Sequence, residues 1–271
     1  MTAKASRSSL VDTDLSFWAQ LRIQRRVIWA LTMREVITRF GREGLGSIWL
    51  FAEPAMFIVG VMVLFSHIES YSTYSVAEYL AVSYPTLLLW RNTTGRVAKC
   101  LEINRALLHH QPIRPLDIIY SRILLEFSSA AAAFLSLYLI FVALGICHWP
   151  ADVLTMALGY LLIVWFSFAF VLIMTALSDL SETMERLSHI ILYLMLPFTG
   201  VFLPVFAAPP EFRTALLYFP LVDAVEYFHH GYYGPRLKSY YHLPYTIIAL
   251  LSLTLFGLAL IQIAIRRTQL L

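Results

Sequence analysis

Residues 39–54 read RFGREGLGSIWLFAEP, a run of charge and glycine that continues into an apolar stretch and takes Glu53 and Pro54 in with it. Arg39 and Arg42 suit the level of lipid headgroups, and Trp49 suits the membrane interface. Gly41, Gly44 and Gly46 permit a sharp turn, because glycine tolerates positive φ. Pro54 is expected in the first turns of a spanning helix, where a missing backbone donor costs least. Glu53 then lies near a helix N-terminus, whose partial positive charge favours a carboxylate. The stretch predicts the point where the chain passes from a polar segment into a bilayer.

The segment behind it, residues 15–40, spaces Leu15, Trp18, Leu21 and Ile28 along one side of a helix and sets Arg22, Arg25 and Arg26 on another. An apolar face beside basic residues predicts an amphipathic helix in the cytoplasmic interface, drawn to anionic lipid. Beyond residue 47 apolar residues dominate. The chain of 271 residues is 59% hydrophobic and 14% charged, against about 45–50% and about 25% in soluble proteins. These deviations exclude an ordinary soluble domain and predict an all-α integral membrane protein. A bilayer core needs about 17–25 apolar residues per helix. Six stretches qualify, at about 48–68, 77–98, 118–147, 151–177, 189–207 and 244–265. The expected organisation is a cytoplasmic N-terminal segment over 1–47 and a multi-pass transmembrane domain over 48–271. No early apolar stretch marks a cleavable leader, so insertion is expected to use the internal spans. Residues 211–230 are half apolar but too charged to span, and predict a re-entrant or interfacial segment between the fifth and sixth spans.

Orientation follows from the cations. With both termini cytoplasmic, seventeen of the twenty Lys and Arg lie on that side, and only Arg213, Arg236 and Lys238 lie opposite. Basic residues concentrate on the cytoplasmic side of membrane proteins, so the chain is expected N-in and C-in. That topology separates Cys100 from Cys147 across the membrane, beyond the reach of a disulfide.

Several chemistries are not expected. GREGLGS at 41–47 approaches a phosphate loop, but Ser47 stands directly after Gly46 where the motif requires lysine. The chain is not expected to hydrolyse nucleotide itself or to bind a cofactor. His109-His110 and His229-His230 are adjacent pairs, which do not face one way on a helix, so no metal site is expected. Asp179, Glu182 and Glu185 read as a solvated acidic face at a cytoplasmic turn. His67 and His189 are isolated at span ends, which argues against an intramembrane enzyme such as an acyltransferase or polymerase.

The informative residues are polar groups placed where lipid should be, since such groups normally face a cavity or the bundle interior. Glu53, Arg91, Arg96, Asp223 and Glu226 meet that description. The segment 99–117, KCLEINRALLHHQPIRPLD, has helical periodicity, with Leu101, Leu107 and Leu108 alternating with Glu102, Arg105 and His109. Pro112 and Pro115 then end it, because proline disfavours helix in the residue before it. A short amphipathic helix tethered to two spans suits the transmission of a push from the cytoplasm. Tyrosines, Tyr84 and Tyr240 among them, gather near the outer face as an interfacial belt. Some of them could offer flat surfaces to a sugar chain.

At three places the sequence is similar to one family. RFGREGLGSIWLFAEP resembles the R-[FY]-x-x-x-x-L-G-x-x-W-x-x-x-x-P signature of the membrane subunit of bacterial ABC-2 type polysaccharide exporters. QPIRPLD at 111–117 resembles that family's R-P-x-K-P-x-D, and YFPLVDAVEYFHHGYYG at 218–234 its N-P-L-x-x-x-x-E-x-x-R segment. Phe219 replaces the usual Asn and His229 the usual Arg, so a basic contact at 229 would depend on pH. The closest likeness is to the permease of capsular polysaccharide export, with O-antigen, teichoic acid or another lipid-linked glycan as the alternative cargo. The resemblance implies a homodimer in the bacterial inner membrane, bound to two copies of a separate ATPase that carries ATP and magnesium. It further implies a periplasmic polysaccharide co-polymerase or adaptor, an outer-membrane exporter and an acidic, glycolipid-linked substrate, with no nucleic acid. The coupling residues it implies are Leu101, Glu102, Arg105, Leu108, His109, Pro112 and Arg114, with Arg39 and Arg42. The implied channel residues are Arg91, Arg96, Trp90, Glu53, Tyr84, Asp223, Glu226 and His229.

Overall fold

Every residue from Glu78 to Trp90 is buried, so the second predicted span runs through the interior of the bundle. The computed structural model describes residues 16–40, 45–65, 75–104, 107, 113–202 and 204–269. Its helices are α1 (Phe17–Phe40), α2 (Leu45–Phe65), α3 (Val76–Val97), the short α4 (Cys100–Ile103), α5 (Pro115–Ala143) and α6 (Val153–Leu180). They continue with α7 (Glu182–Met195), α8 (Pro210–Leu217), α9 (Pro220–Tyr233) and α10 (Leu243–Gln269). Among the described residues no strand occurs. Arg42, Arg105, Leu108, His109 and Pro112 lie outside the described residues.

Three helices are long and apolar enough to cross a membrane: Pro115–Ala143, Val153–Leu180 and Leu243–Arg267. Shorter apolar stretches occupy Phe51–Val61 in α2 and Arg186–Phe198, which covers most of α7. The polar character of α3 has a physical reason. A helix surrounded by protein needs no lipid-compatible exterior, and its hydroxyls bond within the helix. Thr86, Thr93 and Thr94 donate to the carbonyls of Ser83, Leu89 and Trp90 at 2.7, 2.5 and 2.7 Å.

Two boundaries differ from expectation. Because α2 begins at Leu45, Gly46 is helical and Pro54 sits inside the helix instead of in its first turns. Interior proline removes one backbone hydrogen bond and crowds the preceding turn. The fifth predicted span, 189–207, is replaced by α7 starting at Glu182 and by short 3₁₀ turns at Leu196–Phe198 and Val205–Ala207. The helix opens at Glu182, directly after the extended Ser181. Pro197 and the positive φ of Gly200 then stop it.

The half-charged segment is a pair of helices, α8 and α9, each with proline in its first turn. The end of α9 lies against the start of α6 at backbone contact. A Cβ on Gly231 would meet the Met156 nitrogen at 2.2 Å, and one on Gly159 the Phe228 Cα at 2.5 Å. Small residues permit such approaches between membrane helices. Ala151 and Asp152 also donate backbone bonds to Tyr232 and Gly231 at 3.0 and 2.9 Å. The main core, including Tyr79, Trp90, Phe166 and Phe228, surrounds this crossing. A second cluster of Leu31, Val97, Leu101, Ile119, Leu172 and Ile261 closes the end of the bundle that carries α4.

Candidate functional site

The helix α1 reaches α5 through polar pairs that rise together along both helices, so the two run in the same general sense. Gln24 donates to Asp117 at 3.0 Å, Glu35 accepts from Arg122 at 3.0 Å, and Arg39 meets Glu126 at 2.6 Å. Leu31 and Thr32 are the residues of α1 buried beneath this contact, while Trp18, Leu21, Arg22, Arg25 and Arg26 stay exposed. Arg34 adds a bond to Asn104 at 2.8 Å, which ties α1 to the segment following α4.

Between α1, α2, α3 and α5 lies a cavity of about 780 Å³. Its wall carries the cations Arg39, Arg96, Lys99 and Arg122 and the carboxylates Glu35, Glu53 and Glu126, over an apolar floor that includes Leu89 and Phe134. Glu126 is the centre of this charge. It is buried within an apolar spanning helix, and its two oxygens are divided between Arg39 of α1 and Arg96 of α3, at 2.6 and 3.0 Å. A carboxylate withdrawn from water is stable only when paired and hydrogen-bonded, and two guanidinium groups from different helices supply that. The side chain of Arg96 remains 40% exposed, so its charge still reaches the cavity. At the adjoining rim Arg91 donates to Glu53 at 2.7 Å. Pairing with Arg91 replaces the expected helix-start role of Glu53, because nine residues of α2 lead up to Pro54.

The structure therefore brings together Arg39, Glu53, Arg91 and Arg96. Tyr84 is buried beside them, its hydroxyl in a hydrogen bond with Arg91 and its ring stacked on Phe57 at 3.9 Å. The remaining expected channel residues are dispersed, and Trp90 is fully buried in the core. Asp223 accepts from the His242 backbone at 2.8 and 2.9 Å and from the Thr246 hydroxyl, which fastens the start of α10 to α9. Glu226 accepts from the backbones of Val205 and Tyr240 at 3.3 and 3.0 Å, holding two loops to the same helix. His229 is fully buried, with Nε2 2.6 Å from the Ser83 hydroxyl and Nδ1 3.5 Å from that of Tyr79. Among the described residues none of these three side chains lines a cavity. Asp223 and Glu226 accept from the backbone donors of irregular turns, which need buried acceptors, and His229 ties α9 to α3.

Among the expected coupling residues, Leu101 is buried and packs in the second core cluster, whereas Glu102 and Arg114 are exposed. Sequence reasoning missed Glu35, Asn104, Arg122 and Glu126 as site residues. An acidic residue inside the span 118–147 was the signal for Glu126. Cys100 and Cys147 are free and buried, and burial pushes the Cys100 thiol up to about 12, which keeps it protonated and inert. Among the described residues no group of His, Cys, Asp and Glu is placed to hold a metal ion.

Comparison with known proteins gives consistent results. The family described as ABC-2 type transporter matches residues 26–233. The capsule polysaccharide export inner-membrane protein CtrC of Neisseria meningitidis serogroup B is 35% identical over 249 residues, covering 91% of this chain and 94% of the relative. The similarly named BexB of Haemophilus influenzae is 32% identical with the same coverage. The polysialic acid transport protein KpsM of Escherichia coli is 25% identical over 244 residues, 88% of this chain and 93% of the relative.

Proposed function

This chain belongs to the ABC-2 type transporter family, and we propose that it is the inner-membrane permease subunit of an ATP-driven exporter of capsular polysaccharide. The observation that carries this reading is the charged cavity between α1, α2, α3 and α5, placed where an interface helix meets apolar spans. Such a cavity provides no reacting nucleophile, but offers a polar entrance beside lipid to a charged glycan or its glycolipid anchor. The energy comes from a separate ATPase, since the chain has no phosphate loop with its lysine.

In this reading α1 lies at the cytoplasmic surface. Trp18, Leu21, Arg22 and Arg25 share one exposed side instead of the separate apolar and basic faces expected. The rings and aliphatic groups therefore reach lipid while the guanidinium groups extend to the headgroups. The helices α2, α3, α5, α6, α7 and α10 are the six spans, with both termini cytoplasmic, and α8 and α9 form the re-entrant pair. Residues 100–111 receive the push of the ATPase, and the bonds from Arg34 to Asn104 and from Arg39 to Glu126 carry it to the cavity. Two copies of the chain with two ATPase subunits make the transporter, and a periplasmic co-polymerase and an outer-membrane exporter continue the path.

The cavity is tested by the double variant Arg91→Glu with Arg96→Glu, which reverses the charge beside Glu53 and Glu126. Surface capsule is expected to fall to background, with dimer assembly and ATPase binding retained. Wild-type export by that variant would remove the cavity from the transport path.

A further inference from the structure

At the far end of α10 from the charged cavity, a groove of about 640 Å³ opens beside the turn that follows α9. Its volume falls within the range of small-ligand sites, about 300–1,000 Å³. Lys238, His230 and His242 line it together with Tyr240 and Tyr241, and no lining side chain among the described residues is acidic. The Tyr240 ring is held by two cations, with the Arg213 guanidinium 4.6 Å and the Lys238 ammonium 5.2 Å from its centre. Arg213 is itself fixed by the carbonyls of Phe206 and Ala208, at 2.9 and 3.1 Å. Tyr241 leans on Tyr227 and His230, with ring centres 5.0 and 5.2 Å away. The aromatic wall is thereby braced. On the same wall the Ser239 hydroxyl is buried without a hydrogen-bond partner among the described residues.

We propose that this groove is an exit subsite that binds acidic sugar units of the polymer on the outer side of the membrane, an inference that rests on the exporter reading above. Sugar rings present C–H faces that pack on an aromatic ring while their hydroxyls stay wet, and Tyr offers such a ring with a polar tip. A carboxylate on the same sugar finds the ammonium of Lys238, and a ring hydroxyl can satisfy the orphaned Ser239 oxygen. An acidic peptide would use the cations but would have no need of the braced ring of Tyr241. Weak, repeated contacts of this kind suit a polymer that must move on.

The test uses the full-length chain in lipid nanodiscs, titrated with tetragalacturonate, maltotetraose and tetraglutamate and read by calorimetry. The acidic sugar is expected to bind best. Lys238→Ala should weaken it about fivefold and Tyr241→Ala about tenfold, the scale of one lost contact each. Tyr241→Phe and Arg236→Ala, the latter a nearby cation outside the groove, should bind like wild type. Equal binding by Tyr241→Ala and wild type, or no binding of tetragalacturonate, overturns the subsite. Tighter binding of tetraglutamate overturns the sugar assignment in favour of an acidic protein partner. Co-purification of the ATPase is scored on the same preparation, so loss of the subsite and loss of the exporter reading give different results.

Discussion

Gly231→Val is expected to prevent recovery of folded protein. The new Cβ would fall 2.2 Å from the Met156 nitrogen and 2.5 Å from its Cα. Both are backbone atoms of α6 and cannot rotate away. Relief requires α9 to lift off α6, which also breaks the backbone bonds from Ala151 and Asp152. Overpacking a core costs about 1–3 kcal/mol even when side chains can adjust, and whole domains are stable by only about 5–15 kcal/mol. Gly60→Ala is the control, because a Cβ there would meet nothing within 4 Å. Size-exclusion chromatography in detergent should show aggregate for Gly231→Val and a monodisperse peak for Gly60→Ala. A monodisperse Gly231→Val protein with an unchanged melting temperature would refute the close crossing of α6 and α9.

Glu126→Ala is expected to destabilise the protein by about 2 kcal/mol and to stop export. Breaking a buried pair by deleting one partner costs about 3–5 kcal/mol. The value here is smaller because the Arg39 and Arg96 side chains are 23% and 40% exposed, so water partly replaces the lost carboxylate. The helices α1 and α3 lose their common anchor at once, so the Arg39 end of α1 should come free of α5. The pairs Gln24–Asp117 and Glu35–Arg122 keep the rest of α1 in place, and the spans stay folded. Arg96→Ala leaves Arg39 on Glu126 and should cost well under 1 kcal/mol, as exposed ion pairs do. Thermal melting in detergent ranks the two variants, and proteolysis within α1 reports its release. Equal melting temperatures for Glu126→Ala and Arg96→Ala would show that Glu126 does not hold the helices together.

The helical membrane architecture was legible because apolar length is a property of single segments. The helices α5, α6 and α10 needed no knowledge of their neighbours, and α3 was harder for the opposite reason. Its residues Glu78, Ser83, Thr86 and Arg91 are acceptable only because other helices enclose them, which depends on tertiary packing. The site was half legible for a related reason. Charge at membrane depth marked Arg91, Arg96, Asp223 and Glu226 alike, but hydropathy cannot distinguish a carboxylate that caps backbone amides from one that lines a cavity. Asp223 found the amide of His242 and Glu226 those of Val205 and Tyr240, whereas Glu53 found Arg91. His229 replaces an expected arginine, yet its partner is the Ser83 hydroxyl in the core, so among the described residues its pH-dependent role has no charge to act on. Pro54 was misplaced because its helix starts at Leu45, among residues whose glycines suggested a turn.

The most direct test of the central claim is affinity purification of the full-length chain from its native membrane in mild detergent, with quantitative mass analysis of what accompanies it. An ABC-type ATPase is predicted at one copy per copy of this chain, and deletion of the chain is predicted to leave capsular polymer inside the cell. Absence of any ATPase from the complex, with capsule still reaching the surface in the deletion strain, would contradict the account.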